Sequence, residues 1–138
     1  MKKLLLLLLP IFLIPSFYCK GLEGEFAFKS PGDKGYNRLI HNKLEFSATE
    51  EIDWIYKFNG VFSERISIGV IIFKKELGWI DILTLADYID DNKNIIYGKL
   101  KELEPGDYKI VLVLSNQWGN KIIDQVEIYL YSDEDILD

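Results

Sequence analysis

Residues 103–131 read LEPGDYKIVLVLSNQWGNKIIDQVEIYLY, and the reading of this stretch decides the fold. Pro105-Gly106 is a turn signal. In the run that follows, Tyr108, Ile110, Leu112 and Leu114 fall on one face. After a polar, glycine-containing loop at 115–120, Val126, Ile128 and Leu130 fall on one face of a second run. Successive side chains of a strand point to opposite faces, so each run predicts a half-buried antiparallel strand. The faces opposite this core are not uniformly polar: Val111 and Val113 lie there in the first run, Tyr129 and Tyr131 in the second.

The same pattern extends toward the N-terminus. Residues 22–28 open the domain with Phe26 and Phe28 on one side, and Ser30-Pro31-Gly32-Asp33-Lys34-Gly35 is a dense turn signal. A short strand is expected at 44–47. In 52–58, Ile52, Trp54, Tyr56 and Phe58 share a face, and Asn59-Gly60 turns the chain. In 66–73, Ile66, Ile68, Val70 and Ile72 share a face, with Ile71 and Phe73 opposite. Residues 79–85 and 95–100 are further β-rich runs. The stretch LTLADYIDD at 83–91 is ambiguous, because Leu85 and Ile89 are also spaced for one or two helical turns. About seven to eight short strands punctuated by turns predict an all-β antiparallel sandwich.

The 138 residues carry 49% hydrophobic and 28% charged side chains, a globular composition. Sixteen basic residues stand against 22 acidic ones, a net charge of −6. That balance argues against nucleic acid, whose phosphates are bound by Lys and Arg, and against an anionic membrane surface. It suits solubility or a basic partner. Cys19 is the single cysteine, so neither an intrachain disulfide nor a Cys-based zinc site is available.

Met1-Lys2-Lys3 is a short basic start, and an apolar run at 4–18, broken by Pro10, Pro15 and Ser16, follows it. The run is short for a hydrocarbon core about 30 Å thick, and it reads as a secretory signal. Small residues at Cys19 and Gly21 suit a cut that leaves Leu22 first, which divides the chain into a signal at 1–21 and a domain at 22–138. Alternatively, Ser16-Phe17-Tyr18-Cys19 resembles the lipobox of bacterial lipoproteins, with Ser and Tyr departing from it. That resemblance implies Cys19 as a lipid attachment point tethering a soluble domain.

Leu103-Glu104-Pro105-Gly106-Asp107-Tyr108 resembles the tyrosine corner of immunoglobulin-like and fibronectin type III-like sandwiches, in which a Tyr hydroxyl bonds back to the preceding backbone. Asn116 and Gly119 resemble the loop between the last two strands of those families, and Trp54 their core tryptophan. Ile110 stands where antibody domains carry a cysteine. The resemblance implies the sandwich and leaves function open, since that fold hosts receptors, adhesins, chaperones and accessory modules.

The chemistry-bearing residues are sparse. His41 is the one histidine, in a polar stretch, and with Cys19 alone beside it a zinc or copper site is not expected. Asp90, Asn92 and Asn94 begin like a calcium loop, but Ile95 replaces the glycine and Lys101 the closing glutamate. No phosphate-cradling glycine motif occurs. Acidic clusters at 50–53, 87–91 and 133–138 read as solvated loop charge. No cofactor and no metal are expected. Trp118, set among amides, reads as a loop anchor for a protein partner or as a stacking platform for a sugar.

These residues predict an exported, non-enzymatic protein-interaction module of the bacterial periplasm or cell envelope. Val111, Val113, Tyr129 and Tyr131 form the expected contact face, and Trp118 the expected loop anchor. The N-terminal segment or the 83–91 stretch is the alternative cover for that face. A carbohydrate-binding module and a small carboxylate-dependent hydrolase are the rival readings.

Overall fold

The computed structural model describes residues 22–38, 43–116 and 119–136. The chain forms β1 (Gly24–Lys29), β2 (Asn37–Arg38), β3 (Lys43–Ser47), β4 (Ile52–Phe58), β5 (Ile66–Lys75), β6 (Trp79–Ile89), β7 (Ile95–Leu100), β8 (Gly106–Asn116) and β9 (Gly119–Tyr131). A single 3-10 turn follows at Asp133–Ile136, and no α-helix occurs among the described residues. The strands form a four-stranded sheet, β2-β1-β4-β7, and a five-stranded sheet, β3-β9-β8-β5-β6. Every pairing is antiparallel except β3 with β9, which run parallel from Lys43 opposite Glu127 to Ser47 opposite Tyr131.

The period-two faces explain the layering. Ile52, Trp54, Tyr56 and Phe58 of β4 join Phe26 and Phe28 of β1 as the aromatic half of the core. The Phe26 ring meets Tyr56 edge-on at 4.7 Å, and Tyr56 meets Phe58 at 4.9 Å. The aliphatic half comes from the other sheet: Ile68, Val70 and Ile72 of β5, Ile110 and Leu112 of β8, and Val126, Ile128 and Leu130 of β9. Aromatic rings bury large areas against branched side chains, and this closes the core without a disulfide.

Two hydroxyls tie the ends of the sandwich. The Tyr108 O–H donates to the Glu104 carbonyl at 2.6 Å, the bond expected of a tyrosine corner. Gly106 has φ +149°, a conformation an L side chain rarely adopts, so the turn into β8 requires glycine there. The Tyr56 O–H donates to Asp124 of β9 at 3.0 Å, across the two sheets. At the other margin, Asp133 accepts bonds from Ser47 at 2.7 Å and from Thr49 at 3.1 Å, docking the C-terminal turn onto β3.

One ambiguity of the sequence is resolved and one expectation changes. The 83–91 stretch is not helical: it supplies most of β6, which pairs with β5 from Ile89 opposite Ile66 to Trp79 opposite Lys75. The tight turn between them, closed by the Glu76 N–H donating to the Gly78 carbonyl at 2.8 Å, offers β6 a ladder that a lone helical turn cannot match. The β8–β9 loop is also shorter than the expected 115–120, because Ser115 pairs with Asn120 and Asn116 with Gly119.

Candidate interaction surface

The outer face of the five-stranded sheet carries four of the five partner-binding residues expected from sequence. Val111 stands on β8 between Ile71 of β5 and Gln125 of β9, and Val113 between Gly69 and Ile122. Tyr129 lies opposite Asp107 and Glu45, and Tyr131 opposite Ser47, both half-buried. The expectation of an open patch centred on the two valines is corrected: Val111 is 3% exposed and Val113 5%. Both sit on a strand with neighbours on each side. Val113 leans over Gly69 so closely that a Cβ there would lie 2.7 Å from its Cγ2. The fifth residue, Trp118, lies outside the described residues, as do His41 and Cys19.

Exposed apolar surface gathers instead on β6. This strand is the end of its sheet and pairs with β5 alone. Residues 80–86 are all exposed, and among them Ile80 is exposed by 51%, Ile82 by 44%, Leu83 by 45% and Leu85 by 46%. Leu83 and Leu85 pair with the core residues Ile72 and Val70 and so face inward. They remain half open because the four-stranded sheet ends at β7. Under this overhang runs a cleft of about 310 Å³, floored by Ile72, Leu83, Leu100 and Leu103, with Lys99 and Lys101 on its rim. Lys99 pairs with Glu51 at 3.3 Å and Asp53 at 3.7 Å, and those carboxylates raise its pKa, Glu51 foremost.

A β-bulge shapes the strand. The register shifts between Ile72 and Phe73, leaving Ile82 without an opposite residue. Beyond the bulge Asp81 faces Phe73, so it shares the outer face with Thr84, Ala86 and Tyr88. Were the pairing regular, Asp81 would share the inner face with Leu83 and Leu85.

Charge is distributed unevenly along β6. Near its end, the Arg65 guanidinium lies 3.7 Å from the centre of the Tyr88 ring and the Lys93 ammonium 4.7 Å from it. Lys93 also pairs with Asp87. Near its start, the Lys109 ammonium lies 4.6 Å from Trp79 and 5.1 Å from Phe73. Lys74, hydrogen-bonded first to Glu104 and then to Glu76, has its pKa raised by them, and Glu104 has its own lowered by Lys74.

The remaining edges are less available to a strand. β2 has two residues, β3 five and β7 six, and β7 carries Gly98 and Lys99. β6 has eleven, with neither Lys nor Pro among them. Natural edges are commonly shortened, charged or covered, because unpaired N–H and C=O groups template further pairing. The signal for this edge is present in the sequence, but not as alternation. In WIDILTLADYI, large apolar residues occupy both parities, as in a strand covered on both faces.

Among the described residues, no three of His, Cys, Asp and Glu gather as metal ligands. Asp90, the first candidate calcium ligand, accepts the Asn92 N–H at 2.9 Å within its own turn.

No family model matches the chain, and no curated protein matches it. Among solved structures, the PmoD soluble domain from Methylocystis sp. ATCC 49242 (Rockwell) is similar at TM-score 0.53 and 11% identity, over 77% of this chain and 89% of that one. The β-glucosidase from Listeria innocua, in complex with glucose, aligns at TM-score 0.33 and 12% identity, over 79% of this chain but 16% of the enzyme. The first likeness is one of fold.

Proposed function

We propose that the chain is an exported, non-enzymatic protein-interaction module of the periplasm or cell envelope, whose contact surface is the free edge of β6 and the outer face beside it. The single observation that carries the reading is the run of exposed residues at 80–86, aliphatic on its inward side at Ile80, Leu83 and Leu85 and open along one hydrogen-bonding side. A partner strand satisfies the free backbone groups and takes selectivity from the side chains it covers, the mode of β-strand addition.

Magnitudes set what such a contact achieves. Covering four half-exposed aliphatic side chains contributes roughly 3–6 kcal/mol. Association costs about 4–15 kcal/mol in lost freedom and ordering. Apolar burial alone leaves at most about 2 kcal/mol of surplus, so the main-chain ladder and the charges at the strand ends must supply most of the net affinity. The reading therefore calls for a strand-shaped partner rather than a generic oily surface.

The finer fold reading belongs to the same proposal. Taking β8 as the strand that opens on the corner tyrosine, its neighbours β5 and β9 and the opposing β1, β4 and β7 follow the order of a fibronectin type III-like sandwich. Trp54 then stands on β4, one strand before β5, where antibody domains carry their core tryptophan. The likeness in fold to a soluble domain accords with a folded body outside the bilayer.

The test is photo-crosslinking in intact cells, with p-benzoylphenylalanine placed at Thr84 on β6 or at the exposed loop residue Val61. Fractionation of the same cells tests export. An envelope-fraction protein adduct from position 84 that is absent from position 61 is expected. Equal adducts from both positions, none from 84, or a cytosolic full-length product would overturn the reading.

A further inference from the structure

We infer that the strand received by β6 is the β6 of a second copy of this chain, paired antiparallel across a two-fold axis near Thr84 and Leu85. This rests on the proposed use of the β6 edge and names its occupant.

A two-fold contact requires one patch to complement itself, because residue i of each copy meets residue j of the other. β6 has that property. Its middle is aliphatic, with Ile82, Leu83 and Leu85 exposed. Its start carries Asp81, with the Lys109 ammonium over the nearby Trp79 and Phe73 rings, and its end carries the Tyr88 ring flanked by Arg65 and by Lys93, which Asp87 pairs. Antiparallel pairing sets each copy's Asp81 beside the other's Arg65 and leaves the aliphatic middles in register. Parallel pairing would set like charges side by side, which is unfavourable.

The bulge at Ile82 makes the charge match geometrically possible. It moves Asp81 to the outer face, the face that holds Tyr88 with Arg65 over its ring. On a regular strand Asp81 would point inward, toward the partner's Asp87 rather than toward its Arg65. The inward-facing Leu83 and Leu85 of the two copies then cover each other beneath the joined sheets. The product is a continuous sheet with five strands from each copy, in which neither β6 remains an edge.

The experiment co-expresses two full-length chains carrying different tags and captures one through the other. Co-capture by the natural chain is expected, with at least a tenfold loss when both copies carry Leu85→Lys and no loss for Leu77→Lys, a fully exposed residue at the β5–β6 turn. Circular dichroism confirms that each variant keeps its strands. A charge-reversal pair gives a readout that a mere folding defect cannot: Asp81→Arg in one copy and Arg65→Asp in the other should restore capture that Asp81→Arg in both abolishes. Absence of co-capture by the natural chain, or its survival in Leu85→Lys, overturns self-pairing. If position 84 still crosslinks to a different protein, the interaction reading stands and only the identity of the occupant fails; if it crosslinks to nothing, both fail.

Discussion

Tyr108 and Tyr56 place their hydroxyls on opposite sides of the same problem, a polar group that must enter an apolar core. Tyr108 is 1% exposed, and its O–H finds the Glu104 carbonyl. Tyr108→Phe removes that donor and leaves the carbonyl unpaired, at an expected cost of about 1–2 kcal/mol read from urea unfolding. Tyr56 is equally buried. Burial, and then the Asp124 carboxylate that its hydroxyl bonds, push its pKa above the ordinary tyrosine value of 10.0. The native state therefore keeps this proton at pH values where the unfolded chain has lost it, so stability falls as pH rises above about 10. Tyr56→Phe should flatten that alkaline decline while leaving the curve below pH 9 parallel to the natural one. At this scale the sequence was readable where a residue type has one common use: the Tyr after a Pro-Gly turn announced its hydrogen bond. The Tyr56–Asp124 bond spans 68 positions, and nothing local announces it.

At the scale of elements, the meeting of β4 and β7 depends on a missing side chain. A Cβ on Gly98 would lie 2.6 Å from the Trp54 ring, and the Trp54 N–H is buried with no hydrogen-bond partner among the described residues. Gly98→Ala is expected to destabilise by about 1–3 kcal/mol through overpacking. Gly78→Ala, where a Cβ meets open space, should change stability little. Trp54→Phe shortens the ring and removes the orphaned N–H, so in the double variant Gly98→Ala/Trp54→Phe the two costs should sum to less than their separate values. Thermal unfolding of all four chains measures the coupling. Most strands of the two sheets were legible because alternation survives in them, while β2, two residues long, carries no such pattern. In β6 the run at 79–85 reads as β-rich, but the stretch from Leu83 stays open between strand and helix, because apolar residues at both parities erase the alternation that separates the two at short length. Only the turn at 76–78 and the neighbouring β5 decide it. The outer valines were likewise named correctly as outward-facing, but exposure depends on neighbours such as Gly69, which sequence does not reveal.

For the whole molecule, a net charge of −6 opposes close approach of two copies at long range, while the contact at β6 brings opposite charges together at short range. Salt screens the first and weakens the second. Self-association should thus show a maximum or a plateau at intermediate ionic strength, measured by sedimentation, rather than a steady rise with salt. The most direct measurement of the central claim is amide hydrogen exchange along β6 in the purified full-length chain, at concentrations on either side of association. Within Trp79–Ile89, amides facing β5 should be protected throughout, and the alternate amides, facing the open side, should gain protection as the chains associate. If those alternate amides exchange at unpaired rates in the associated state, the edge is not the contact, and the account is contradicted.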